Sequence, residues 1–86
     1  MKYLYINRVV SDIRPDESKN VLPEHLNWVK AEKSKGTLFQ AGKWGDAGGA
    51  GIIEAESLES ATNCLKSDPF VSKGLVDFEI HPYFID

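Results

Sequence analysis

Cysteine is nearly missing from this chain: Cys64 is the only one among 86 residues. An internal disulfide is therefore impossible, and a cysteine-based zinc site is excluded. Histidine is almost as scarce. His25 and His81 are the only two, without the H-x₃₋₅-H spacing of a metal-binding pair, so no metal is expected. Positive charge is in deficit, with 10 basic residues against 13 acidic ones and a net charge of −3. Lys30, Lys33 and Lys35 cluster, but Glu32 interrupts them and no basic stripe develops. Nucleic acid is therefore not an expected partner, because phosphate contacts need concentrated positive charge. Long apolar runs are also lacking. The opening six residues hold a lysine and then apolar side chains, but Asn7 and Arg8 stop the run short of a signal-peptide core. No stretch reaches membrane-spanning length. The chain reads as one cytoplasmic domain, residues 1–86, with no membrane partner.

So short a chain buries a modest core, and small domains commonly make up the deficit with disulfides, a metal or a second subunit. Oligomerisation is the option left.

What is present is a clear alternation of elements. Residues 3–10 are rich in β-branched and aromatic side chains and read as a strand with apolar residues on both faces. Residues 11–20 are polar, contain Pro15 and read as a loop. Residues 22–35 read as a helix, with Leu22, His25, Leu26 and Val29 on one stripe, Pro23 in the first turn and Gly36 as the stop. A short strand over 37–41 precedes a loop over 42–51 with five glycines, and a third strand covers 52–55. Ser57 caps a second helix whose Leu58, Ala61 and Leu65 face inward. Asp68 and Pro69 begin a short helical turn that Gly74 ends, and residues 76–83 alternate as a last strand.

This order is a split βαβ arrangement. It predicts an α+β, ferredoxin-like βαββαβ domain: a four-stranded antiparallel sheet with two helices on one face. The other face carries apolar residues and needs a cover, which a second copy across a two-fold axis supplies as a homodimer.

Candidate chemistry is sparse. His25 lies on the helix stripe, either as a half-buried structural histidine or as a general acid or base. Asp68 is either an N-cap or the carboxylate that orients an imidazole, and the two roles are compatible. Asp46 sits in the glycine loop, which lacks the pattern and the following helix of a phosphate cradle. It is either a turn former or part of a lid in which Trp44 covers a pocket mouth. Cys64 reads as a packing residue without activation, and His81 as a surface residue. No cofactor-binding motif is present.

Three stretches together resemble the YciI-related (YCII domain) family. They are His25-Leu26 followed by Gly36-Thr37-Leu38-Phe39-Gln40-Ala41-Gly42; Gly51 through the Glu54-Ala55-Glu56-Ser57-Leu58-Glu59-Ser60-Ala61 run; and Asp68-Pro69-Phe70 with the terminal His81-Pro82-Tyr83. The resemblance implies a dimeric α/β barrel and a pocket centred on a histidine and an aspartate, which map to His25 and Asp68. Asp46 resembles the acidic residue after the family's A-G-P turn, where Gly42-Lys43 stands here. The resemblance also implies chemistry on small cyclic or aromatic-derived compounds, as in dehydrochlorination. The expected function is cofactor-free acid–base catalysis of an isomerase, elimination or lyase type on a small-molecule ligand. His25 and Asp68 would be catalytic, with Trp44, Asp46 and Phe70 lining the substrate. The rival expectation is a non-catalytic ligand-binding or dimerisation module. A cofactor-free monooxygenase is a third reading, and no residue supports it directly.

Overall fold

Alternation along the first strand, β1 (Lys2–Val9), sets the architecture of the computed structural model, which describes residues 1–10, 15–45 and 48–86. Tyr3, Tyr5 and Asn7 are buried on one face, while Leu4 and Ile6 are partly exposed on the other. The long helix α1 (Pro15–Lys35) follows, then β2 (Leu38–Trp44), β3 (Gly48–Glu54), α2 (Leu58–Lys66), the single turn α3 (Pro69–Ser72) and β4 (Val76–Tyr83). The sheet order is β2-β3-β1-β4 and every pairing is antiparallel. This is the ferredoxin-like α+β arrangement, an open sheet with its helices on the Tyr3 face.

The core sits between that face and the helices. Tyr3, Tyr5, Leu38, Ile53, Ala61 and Leu65 form its centre, and Trp28, Val29, Val71, Phe78 and Ile80 pack around them. Ile53, Ala61 and Leu65 are fully buried. Ser57 closes a capping box on α2: its hydroxyl accepts from the Ser60 amide at 3.1 Å, and its own amide donates to the Ser60 hydroxyl. Gly36 and Gly74 end α1 and the α3 turn at φ +80° and +72°, conformations that cost glycine little.

Several expectations need correction. Helix α1 begins at Pro15 rather than Leu22, so part of the predicted loop is helical; residues 11–14 of that loop lie outside the described residues. The polar side chains of this segment masked the helix, because only its later part draws an apolar stripe. Pro23 consequently stands inside α1 rather than in its first turn, where it cannot donate to the carbonyl four residues back. Leu58 is 45% exposed instead of inward. The supposed ten-residue glycine loop is mostly strand: β2 continues to Trp44 and β3 begins at Gly48. Glycine serves the sheet here. A side chain at Gly51 would meet the Tyr5 ring at 2.6 Å, because the two residues are partners in the β1–β3 register. One at Gly48 would strike the Asn7 carbonyl.

Candidate active site

Between α1 and the sheet, at the end where β1 finishes and β4 begins, lies an open cavity of about 570 Å³. Tyr5 and Asn7 from β1 line it, with Leu22, His25 and Leu26 from α1 and Phe70 from α3. All four residues of the α1 stripe line the cavity; Val29 also packs against the core, whereas Leu22 and Leu26 remain 43% and 54% exposed.

His25 and Asp68 are 43 residues apart in sequence, and their side chains meet at 2.8 Å. Helix α1 delivers His25 from one side and the α2–α3 junction delivers Asp68 from the other. Asp68 is held there by its own cap: Oδ1 accepts from the Phe70 amide at 3.0 Å, ahead of Pro69 in the first turn of α3. The same Oδ1 accepts from His25 Nδ1, so cap and imidazole share one oxygen. Oδ2 is buried and has no partner among the described residues. A carboxylate that accepts a hydrogen bond from Nδ1–H fixes the tautomer and leaves Nε2 with its lone pair. The imidazole lies against the Phe70 ring, with centroids 4.5 Å apart, and near the Trp28 ring at 6.2 Å. Trp28 is in turn tied to Ser67 by a 2.8 Å hydrogen bond from its indole. His25 is thus aligned by one polar and two aromatic neighbours.

Ser18 and Lys19 of α1 and Lys43 of β2 add polar lining, and two further polar residues come from β1. Burial, and then the negative charge of Asp68, push the Tyr5 phenol above its ordinary pKa, so it stays protonated. Asn7 is 4% exposed, and its Oδ1 is buried without a partner among the described residues. An unmatched buried acceptor costs about 1–3 kcal/mol. Sequence reading passed over both residues. The signal for Asn7 was its parity, because a polar side chain continues the Tyr3–Tyr5 face.

Of the other residues expected at the site, Phe70 lines the cavity and Trp44 does not. Trp44 lies beside Arg8, whose guanidinium carbon is 5.8 Å from the indole centroid. Its Nε1–H is shared between the Asn7 and Gly49 carbonyls, each at 3.1 Å, just past the last paired residues of β1 and β3. The indole therefore clamps the backbone beneath Asn7. Asp46 lies outside the described residues. Cys64 packs beside Glu32, its thiol 3.4 Å from the carboxylate; burial first, then that hydrogen bond, push it up to about 11. Among the described residues no group of histidine, cysteine and carboxylate side chains could hold a metal ion, and no helix is long and apolar enough to cross a membrane.

A ferredoxin-like domain with a histidine–carboxylate pair at a cavity defines the class. The chain belongs to the YCII-related domain family, whose model matches residues 1–83. No curated protein matches it. Among solved structures it is similar to the 5-chloro-2-hydroxyhydroquinone dehydrochlorinase (TftG) of Burkholderia phenoliruptrix AC1100, in complex with 2,5-dihydroxybenzoquinone. The TM-score is 0.77 at 20% identity, covering 98% of this chain and 94% of that one. At that identity the likeness speaks to the fold.

Proposed function

We propose that this protein is a small-molecule enzyme in which His25 moves a proton and Asp68 orients its ring. The observation that carries the reading is the 2.8 Å contact between His25 Nδ1 and a fully buried Asp68 carboxylate, with His25 on a largely apolar cavity wall. Nε2 is the base: it accepts a proton from the substrate, and the imidazolium that forms is stabilised by Asp68, whose second oxygen has no competing donor. Returning that proton to another atom of the substrate gives isomerisation. Expelling an anionic leaving group, with the electron pair of the broken C–H or O–H bond forming the new π bond, gives elimination. The family, and a fold shared with a dehydrochlorinase of a chlorinated hydroxyhydroquinone, favour a small oxygenated ring as substrate.

The test is a panel of small cyclic ketones, phenols and halogenated hydroquinones in D₂O. NMR would follow deuterium incorporation, and halide release would be assayed alongside. The wild type is expected to turn over at least one compound, and His25→Ala to lower kcat about 10²–10⁴-fold with folding intact. Asp68→Asn, which can still cap α3, is expected to fall between the two. Equal rates for wild type and His25→Ala, or an inert wild type, would overturn the proposal.

The open sheet face supports a second expectation, a homodimer. Leu4, Ile6, Ala50 and Ile52 form its apolar centre, flanked by Lys2, Arg8 and Glu79. Sedimentation should give twice the 9.6 kDa chain mass; a monomer at micromolar concentration would rule this out.

A further inference from the structure

We infer that Asn7 is the specificity-determining residue of the cavity and that it selects ring compounds bearing a hydroxyl group. The inference rests on reading the cavity as a ligand site, and it adds the chemical feature that site recognises.

The cavity is lined mainly by apolar side chains, so each buried polar group in its lining carries a large share of the discrimination; Ser18, Lys19 and Lys43 also line it, but both lysines are exposed and Ser18 is only half-buried. His25 is committed through Nδ1 to Asp68. Tyr5 is protonated and buried in the floor. Asn7 lines the cavity at 4% exposure, yet its carboxamide oxygen receives no hydrogen bond from the described residues. Native structures rarely leave such an acceptor unmatched unless a water or ligand completes it. Its backbone is fixed from behind, where the Trp44 indole bridges the Asn7 and Gly49 carbonyls. Glycine at position 48 lets β3 approach the Asn7 carbonyl more closely than any side chain would allow. The carboxamide is therefore presented from a rigid strand.

The chemistry of the amide names the ligand group. The unmatched atom is an acceptor, so the ligand group that completes it must donate a hydrogen bond, as a hydroxyl does. A methyl ether cannot donate, and a site built to pair with a hydroxyl discriminates against an analogue that lacks it.

The test measures binding by calorimetry, with resorcinol and 1,3-dimethoxybenzene as probes, in wild type and Asn7→Leu. The quantity read is the ratio of the two dissociation constants. Substitution is expected to shift that ratio about tenfold against resorcinol, or ~1.4 kcal/mol. As a check that does not depend on the variant folding, the Asn7 side-chain NH₂ resonances of the wild type should move with resorcinol and not with the ether. An unchanged ratio, unmoved resonances, or the absence of saturable resorcinol binding would overturn the inference. Binding requires no turnover, so a catalytically inert protein that still discriminates would refute the proposed chemistry and leave this inference standing.

Discussion

The two ends of the layer between helices and sheet are built from the same strands and differ in what fills them. At one end Tyr3, Leu38, Ile53, Ala61 and Leu65 interlock, and three of the five have no exposed surface. At the other, Tyr5, Asn7 and His25 border an open cavity whose α1 wall, Leu22 and Leu26, is about half exposed. The junction between the ends is sharp. Tyr3 pairs with the bulky Ile53, whereas two residues along β1 Tyr5 pairs with Gly51, which leaves room for the phenol. Close packing supplies stability at the first end. The second end forgoes that packing and holds the buried side-chain atoms left unmatched among the described residues, Asn7 Oδ1 and Asp68 Oδ2. Violations of packing and of polar satisfaction that gather at one place are the mark of a functional site.

If that division is real, truncations should sort by end. Leu65→Ala, in the packed end, is expected to lower unfolding free energy by about 2–5 kcal/mol in urea denaturation. Leu26→Ala, in the hollow end, is expected to cost under about 1 kcal/mol, because half its surface already meets solvent. It should nevertheless weaken binding of apolar ring probes. Similar losses from the two truncations would erase the distinction. The smallest effect concerns Cys64 beside the packed end. Its folded pKa is raised from 9.0 to about 11, so its contribution to stability is complete below the unfolded value and disappears as pH rises through about 11. Iodoacetamide at about pH 8 should accordingly modify it far more slowly in native than in urea-unfolded protein. Equal rates would mean the thiol is neither buried nor coupled to Glu32.

Much of this was legible in the sequence where local physics decides. Strand β4 follows from its alternation. The Ser57 and Asp68 caps follow from side chains that accept amide protons, and the stops at Gly36 and Gly74 from the left-handed backbone. The His25–Asp68 pair was legible only as two residues with local explanations and a family resemblance, because no local pattern reports a contact across 43 residues. The glycines of residues 42–51 misled because turns are one use of glycine and close strand approach is another. Only tertiary neighbours such as the Tyr5 ring and the Asn7 carbonyl distinguish them. The cavity wall of Leu22 and Leu26 was not legible for a related reason: an apolar stripe looks the same whether it meets a core or a cavity. Trp44 is aromatic and lies near the site in sequence, but its indole clamps two carbonyls instead of forming a wall.

In the proposed mechanism Asp68 fixes the His25 ring as a base, and the ring nitrogens report this directly. A long-range ¹H–¹⁵N correlation on the uniformly labelled protein, at a pH where the ring is neutral, distinguishes the tautomers. The expected result is a proton on Nδ1, hydrogen-bonded to Asp68, and a bare Nε2, with that preference weakened in Asp68→Ala. A ring protonated on Nε2 in the wild type would contradict it, because the nitrogen assigned to take the substrate's proton would already carry one.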